Sequence, residues 1–202
     1  MIAGSPDPVA GPHDPPQAGV WNIANALTLV RIALVPVFVW LLFLDTAGWR
    51  LAALAVFAVA SLTDKIDGDI ARARGLVTDF GKIADPIADK ALTGAALVSL
   101  SLMGELWWWV TAAIMVREIG ITLMRFVLIR RSVIPASKGG KLKTLLQIVA
   151  ISLFLLPGPL DYLRWTAMGA ALVVTVVTGV DYLYRAWKLR TPPGRPEATD
   201  MR

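Results

Sequence analysis

Six apolar segments, each close to the ~20 residues that a helix needs to cross a bilayer, dominate this 202-residue chain. Hydrophobic residues make up 56% of it and the mean hydropathy is +0.61, which is too apolar for an ordinary soluble domain. The sequence therefore predicts an all-α, polytopic membrane protein with six transmembrane helices. The predicted spans are roughly residues 26–44, 50–73, 83–103, 106–130, 142–158 and 161–186.

The two ends of the chain differ from this apolar body. Residues 1–19 are rich in proline and glycine, and they lack a basic segment followed by an apolar core. We interpret them as a disordered N-terminal leader rather than a signal peptide. Residues 191–202 predict a disordered C-terminal tail. One transmembrane domain is expected between them, over residues 20–190.

Lysine and arginine divide the predicted connections into two unequal sets. One set holds most of the basic residues, and the other has little beyond Arg50 and Arg164. Because basic residues concentrate in cytoplasmic loops, we expect both termini and the first set to face the cytoplasm, in the inner (cytoplasmic) membrane. The net charge of +5 is explained by these flanking positions and does not indicate nucleic-acid binding. The first set comprises Lys65, Arg72, Arg74, Lys82, Arg130, Arg131, Lys138, Lys141, Lys143, Arg185, Lys188 and Arg190.

Two residue types that often carry chemistry are almost missing. The chain has no cysteine, and its one histidine, His13, lies in the N-terminal leader. The lack of cysteine excludes a disulfide framework, a thiolate nucleophile and a cysteine-bound zinc site. Because the only histidine lies in that leader, a serine–histidine–aspartate relay and a histidine-bound metal are also disfavoured.

Four of the aspartates between residues 64 and 89 form two regularly spaced pairs, one in the second and one in the third predicted span. Asp64 and Asp67 are three residues apart, and Asp85 and Asp89 are four apart, so each pair lies on one face of a helix. Two such helices can form a cage of four carboxylates, and cages of oxygen ligands select hard divalent cations, above all Mg²⁺. A polar helix end, with its acids paired to nearby lysines and arginines, is the alternative interpretation. Carboxylates at membrane depth are costly and usually functional, which favours the metal site.

These aspartates are part of a longer gapped pattern. It reads Asp64-x2-Asp67-Gly68-x2-Ala71-Arg72-x8-Gly81-x3-Asp85-x3-Asp89. The pattern resembles the signature of the CDP-alcohol phosphotransferases. The resemblance implies the fold of that family, two Mg²⁺ ions with Mn²⁺ as an alternative ion, and a homodimer. It also implies a reaction in which an alcohol attacks the lipid-side phosphorus of a CDP-alcohol and expels CMP.

The pattern also suggests a role for each residue. Asp64, Asp67 and Asp85 are predicted metal ligands, and the resemblance makes Asp89 the base for the attacking hydroxyl as well as a further ligand. Small residues let a nucleotide diphosphate approach the helices, and an arginine can pair with its phosphate. Thr78 and the N-terminal Asn25, Thr28 and Arg31 join this site by resemblance, although a helix cap followed by a snorkelling cation explains the last three as well. The predicted CDP-diacylglycerol-binding residues are Asn25, Thr28, Arg31, Gly68, Ala71, Arg72, Thr78 and Gly81.

A second group of basic and hydroxyl residues lies in the fourth span and at the start of the fifth. Two arginines eight residues apart would share one face of the fourth span, and an arginine within an apolar span usually faces an interior partner. Together the group suits a phosphate dianion, although the lysines alone are more often membrane anchors. The predicted acceptor phosphate-binding residues are Arg117, Arg125, Ser137, Lys141, Lys143 and Thr144.

These stretches resemble one branch of the family, the phosphatidylglycerophosphate synthases, over Asn22 to about Ile151. That resemblance implies CDP-diacylglycerol as donor, sn-glycerol 3-phosphate as acceptor, and phosphatidylglycerophosphate and CMP as products. A phosphatidylinositol phosphate synthase would share the donor site and also need a cationic pocket, so inositol phosphate stays open as the acceptor. A divalent-cation transporter is the alternative from another class, but it would leave Gly68, Arg72 and Gly81 unexplained.

Overall fold

The computed structural model describes the backbone of residues 23–73, 79–128 and 138–190. Within these ranges it describes the side chains of residues 26–63, 87, 88, 90–124 and 140–184. The described backbone contains six helices and no strand, which confirms the all-α prediction. The helices are α1 (Ile23–Phe43), α2 (Ala47–Ala73), α3 (Asp79–Leu102), α4 (Trp108–Leu128), α5 (Lys138–Leu155) and α6 (Asp161–Arg190).

Two helices are long and apolar enough to cross a membrane by length and composition. The stretches are Ala26–Phe43 in α1 and Asp161–Tyr184 in α6, and only 28% and 22% of them are buried inside the protein. A core helix of a soluble protein would be mostly buried, so these two helices present apolar surface outward. Ala47–Thr63 and Lys90–Leu102 are shorter apolar helical stretches. The prediction of six spans is therefore confirmed only as far as six helices, and the number that cross a membrane stays a prediction.

Several helices begin before the apolar segments from which they were predicted. α2 begins three residues before the predicted start, and α3 begins at Asp79, four residues early. α5 likewise begins at Lys138 and ends at Leu155, three residues before the predicted end. Polar residues at these ends interrupt the apolar pattern without ending the helix. As a result, Asp85 lies inside α3 rather than near its start.

The core forms where the helices pack pairwise. α1 packs against α2 and α3, α5 packs most extensively against α6, and α4 lies against α3 and α6. The rings of Phe38 on α1 and Phe57 on α2 are 5.8 Å apart, which gives this contact an aromatic centre. The largest fully buried side chains include Phe38, Leu42, Phe57, Leu97, Leu100, Ile114, Ile151 and Phe154.

The end of α3 is closed by a glycine turn. Gly104 has a φ of 76° and donates its N–H to Ser101 O at 3.1 Å, while Glu105 N donates to Leu100 O at 3.0 Å. This is the Schellman arrangement, in which a left-handed residue after the helix satisfies its last carbonyls. The turn directs Glu105 toward the start of α2.

An ion cluster, here called the Arg50 clamp, joins three parts of the chain at this end of the bundle. Arg50 Nη1 donates to Asp45 Oδ1 at 3.1 Å and to Glu105 Oε1 at 2.5 Å. Arg50 Nη2 donates to Glu105 Oε2 at 2.7 Å and to Phe154 O at 2.8 Å. The clamp therefore ties the start of α2 to the α3–α4 connection and to the last turn of α5.

Arg164 satisfies further carbonyls after α5. Its Nε donates to Leu153 O at 3.1 Å, and its Nη2 donates to Leu156 O and to Gly158 O, the latter at 3.1 Å. The last carbonyls of a helix have no partner within the helix, so these contacts replace missing hydrogen bonds. Both basic residues singled out in the less basic set of connections, Arg50 and Arg164, are thus used to hold the scaffold together.

Candidate functional site

The four aspartates all lie in helical backbone, as the spacing argument requires. Asp64 and Asp67 are in α2, and Asp85 and Asp89 are in α3. Asp67 precedes the last residue of α2 by six positions, and Asp85 follows the first residue of α3 by six positions. Both pairs therefore lie within ten residues of the helix end that borders the connection between α2 and α3.

The donor set and the helical spacing of these aspartates fit a divalent-metal centre. Each pair occupies one helix face, and four carboxylates are the ligand type that Mg²⁺ prefers. The aspartate side chains lie outside the described ones. Among the side chains that are described, no three histidine, cysteine or acidic residues form another metal-binding group. The aspartate positions are the candidate metal centre.

The predicted donor site begins on α1, which packs directly on the two aspartate helices. Thr28 and Arg31 are only 2% and 4% exposed, and they lie one helical turn apart on the face that also buries Phe38 and Leu42. A snorkelling cation would be exposed at the lipid surface, so the burial of Arg31 favours an interior role. Asn25 belongs to the same helix, but its side chain lies outside the described ones.

The remaining donor-site residues are placed only through their backbone. Gly68, Ala71 and Arg72 follow the first aspartate pair in α2, and Gly81 precedes the second pair in α3. Their side-chain surroundings lie outside the described part, and Thr78 falls in the undescribed connection between the two helices. The structure therefore places Gly68, Ala71, Arg72 and Gly81 on the aspartate helices, and their contacts stay predictions.

A buried carboxylate organises the predicted acceptor site. Glu118, on α4, is 4% exposed and forms ion pairs with Lys90 of α3, Arg117 of α4 and Lys143 of α5. Glu118 Oε1 accepts from Arg117 Nη1 at 3.0 Å and from Lys143 Nζ, whereas Oε2 pairs with Lys90 Nζ at 2.7 Å. We call these four residues the Glu118 cluster.

The arginine of this cluster also contacts α6. Arg117 Nη2 donates to Thr178 Oγ1 at 2.9 Å, and its Nε is buried with no hydrogen-bond partner among the described residues. Gly179 makes room for the side chain, because a Cβ there would lie 3.1 Å from Arg117 Cγ and 3.5 Å from its Nε. The position of Arg117 therefore depends on a glycine 62 residues further along the chain.

A polar contact between α5 and α6 continues from Lys143. Gln147 lies one turn after Lys143 and is 4% exposed, and its Nε2 donates to Thr175 Oγ1 at 3.2 Å. Thr175 in turn donates to Ala171 O at 2.6 Å. These contacts give the buried polar groups partners within an apolar interface, where an unpaired group would be costly.

The structure separates the predicted acceptor residues into two groups. Arg117 and Lys143 meet at Glu118 although they stand on different helices. Lys141 and Thr144 lie on the exposed face of α5, and Thr144 Oγ1 donates to Gly140 O of its own helix at 3.2 Å. Arg125 is in α4 but its side chain lies outside the described ones, and Ser137 precedes the described part of α5.

Sequence reasoning missed three members of this site. Glu118 and Lys90 complete the ion cluster, and Thr178 holds Arg117 from α6. The signal for Glu118 was present, because an acidic residue in the middle of an apolar span requires an interior partner. The adjacent arginine gave it a local partner, which obscured its contacts with the other helices.

The family of the chain follows from a comparison with known proteins. The sequence profile of the CDP-alcohol phosphatidyltransferases matches residues 21–177, a range that includes both aspartate pairs and the Glu118 cluster. The match reaches into α6, beyond the limit at Ile151 that the motifs suggested. The chain belongs to the CDP-alcohol phosphatidyltransferase family.

Individual relatives are similar over most of their length. A probable phosphatidylglycerophosphate synthase of Mycobacterium tuberculosis is 52% identical over 175 residues, which cover 84% of each chain. A CDP-diacylglycerol–glycerol-3-phosphate 3-phosphatidyltransferase of Bacillus subtilis is 36% identical over 188 residues, covering 84% of this chain and 97% of the relative. The enzyme of the same name from Pseudomonas fluorescens is 33% identical over 189 residues, covering 87% and 95%.

Proposed function

We propose that this protein transfers the phosphatidyl group of CDP-diacylglycerol to sn-glycerol 3-phosphate, giving phosphatidylglycerophosphate and CMP. The names of the relatives support this reaction. The observation that carries it is the ion pair between Lys90 Nζ and Glu118 Oε2 at 2.7 Å. Lys90 follows Asp89 directly, so this pair brings the cationic cluster next to the turn of α3 that carries the proposed base.

The acceptor phosphate is assigned to Arg117 and Lys143. These two cations share one carboxylate oxygen, and the other oxygen of Glu118 is already paired with Lys90. One negative charge divided among three cations leaves Arg117 and Lys143 able to bind a further anion. A phosphate dianion supplies the charge and the acceptor oxygens that these donors need.

The donor is assigned to the aspartate helices. Asp64, Asp67, Asp85 and Asp89 would hold two divalent cations, with Mg²⁺ as the expected ion and Mn²⁺ as an alternative. When bound, such ions neutralise a diphosphate and stabilise the departing CMP. In this proposal the small residues Gly68, Ala71 and Gly81 would admit the diphosphate close to the helices, and Arg72 would pair with a phosphate.

The chemical step then needs little covalent help from the protein. The acceptor hydroxyl attacks the lipid-side phosphorus, its oxygen forms the new phosphodiester bond, and the bond to the CMP phosphate breaks. Asp89 accepts the proton of the attacking hydroxyl. Binding the acceptor by its phosphate fixes this hydroxyl near the phosphorus, which is the larger part of catalysis in phosphoryl transfer.

The proposal also includes the membrane arrangement. Six spans in the inner membrane, with both termini and the aspartates toward the cytoplasm, agree with the lysine and arginine asymmetry. A homodimer follows from the family resemblance. Orientation can be tested on this cysteine-free chain with Ala136→Cys and Tyr162→Cys, the latter at a side chain that is 88% exposed. In intact spheroplasts an impermeant thiol reagent should label only Tyr162→Cys, and the reverse pattern would contradict the orientation.

A purified-enzyme assay with a panel of acceptors tests the reaction. CMP release from CDP-diacylglycerol should be fastest with sn-glycerol 3-phosphate, slower with inositol phosphate, inositol or serine, and absent without a divalent cation. A clear preference for inositol phosphate would replace the acceptor while leaving the reaction class intact. Metal-dependent ion flux in liposomes without CMP release would contradict the class.

A further inference from the structure

Glu118 has no direct part in the proposed reaction, yet its carboxylate forms ion pairs with three cations. It stands near the middle of α4 and is 4% exposed. Burying a carboxylate removes its hydration, and the cost is large unless cations and hydrogen bonds replace the lost water. Three cations from three helices surround this one. A carboxylate that is this costly to bury within an apolar helix usually has a function.

The two carboxylate oxygens of Glu118 contact different cations. Oε1 contacts the two cations assigned to the acceptor phosphate, and Oε2 contacts the lysine beside the proposed base. The carboxylate therefore links the two cations assigned to the acceptor phosphate with the turn of α3 that carries Asp89. Lysine and arginine side chains are long and flexible, and like charges repel, so without this anion the three cations would separate.

We propose that Glu118 is a positioning residue for the acceptor. It orients Arg117 and Lys143 toward one phosphate and, through Lys90, fixes the distance between that phosphate and Asp89. This inference rests on the proposed function and identifies what sets the acceptor geometry. The acceptor reacts through a hydroxyl remote from its phosphate, so a small shift of the phosphate displaces the reacting oxygen as well.

A purely structural role for Glu118 makes a different prediction. If the carboxylate only held the helices together, its loss would weaken stability, donor binding and acceptor binding together. A positioning role instead confines the loss to the acceptor and to turnover. Glu105 provides a matched control, because it is also a carboxylate paired with an arginine, but it lies in the Arg50 clamp.

The experiment compares Glu118→Gln and Glu105→Gln in the purified full-length protein with Mg²⁺ and CDP-diacylglycerol in detergent. Glu118→Gln should lower kcat/KM for sn-glycerol 3-phosphate by about 10- to 100-fold, the scale expected for misplacing a substrate by about 1 Å. Its affinity for CDP-diacylglycerol should stay close to that of the wild type. Glu118→Asp keeps the charge and should recover part of the loss, whereas Glu105→Gln should leave the acceptor kinetics unchanged.

A double variant tests whether Glu118 acts through the lysine. Lys143→Met removes one cation that Glu118 orients, so adding Glu118→Gln should cost less than it does in the wild-type background. Fully additive effects on kcat/KM would overturn the proposal, and so would equal losses of donor and acceptor binding in Glu118→Gln. Normal acceptor kinetics in that variant would also overturn it.

The same assay separates this inference from the proposed function. If the wild-type protein does not turn over sn-glycerol 3-phosphate, the proposed function fails first. If the wild type does turn it over and Glu118→Gln is unimpaired, only the positioning role fails.

Discussion

The Arg50 clamp and the Glu118 cluster are two ion clusters in the same bundle, and they have opposite excesses of charge. The Arg50 clamp has one guanidinium, two carboxylates and a backbone carbonyl. Its terminal nitrogens donate four hydrogen bonds, all to groups of the protein itself. The Glu118 cluster has one carboxylate and three cations.

The opposite charge balance indicates different roles for the two clusters. The terminal nitrogens of Arg50 donate to groups of the protein, so this clamp holds chain segments together. In the Glu118 cluster, the Nε of Arg117 lacks a hydrogen-bond partner among the described residues. Lys143 has three N–H donors and, among the described side chains, pairs only with Glu118. Positive charge and donor capacity are therefore left for an anion.

The largest expected effect is on the chemical step, in which neither cluster takes part directly. Asp89→Asn keeps the shape of the side chain but cannot accept the hydroxyl proton, so turnover should fall by about 10² or more. Affinity for CDP-diacylglycerol should be retained if the other three aspartates hold most of the metal. Single-turnover kinetics and a donor-binding assay check both expectations. Near-normal turnover would show that the proton leaves by another route.

The next effect tests the clamp as a scaffold. Arg50→Met leaves Asp45 and Glu105 without their cation and should destabilise the protein by about 2–3 kcal/mol, less than for a fully buried pair because Glu105 is 27% exposed. KM for sn-glycerol 3-phosphate should be unchanged at temperatures where the variant is folded. Thermal unfolding in detergent measures the first quantity and CMP release the second. An altered acceptor KM with unchanged stability would reverse the roles of the two clusters.

A smaller effect tests how α6 supports the Glu118 cluster. Gly179→Ala adds a methyl group 3.1 Å from Arg117 Cγ, so the arginine must shift slightly. KM for sn-glycerol 3-phosphate should rise by about 2- to 10-fold, less than for losing the whole cation. Gly169→Ala is the matched control, since the added methyl group there meets nothing within 4 Å. Equal kinetics for the two variants would mean that the contact with Gly179 does not affect acceptor binding.

Most of the fold could be predicted because apolar length is a local property of the sequence. Each apolar segment corresponds to one described helix, but the starts of α3 and α5 were placed four residues late. The residues Asp79–Lys82 and Lys138–Lys141 are mostly polar or small, so their apolar signal is weak. They are helical because the backbone continues its hydrogen bonds into the polar region.

The candidate site was predicted where its chemistry lies in a single stretch of sequence. The spacing of the aspartates gave the predicted metal site, and Arg117 and Lys143 were recognised as cations within or beside apolar spans. The partners of these cations depend on how α3, α4 and α5 are rotated against one another, which no single segment determines. The buried polar face of α5 has a signal in the sequence, because Gln147 follows Lys143 by one turn. Lys141 does not lie on this face.

The most direct test of the central claim compares two lysines of α5. Lys143 is 3% exposed and contacts Glu118, whereas Lys141 lies on the exposed face. Lys143→Met and Lys141→Met make the same chemical change at two positions in one helix turn. KM for sn-glycerol 3-phosphate should rise by about 10-fold or more for Lys143→Met and by much less for Lys141→Met, with CDP-diacylglycerol binding retained in both. An unchanged KM for Lys143→Met, or an equal rise for both variants, would contradict the assignment of the Glu118 cluster to the acceptor phosphate.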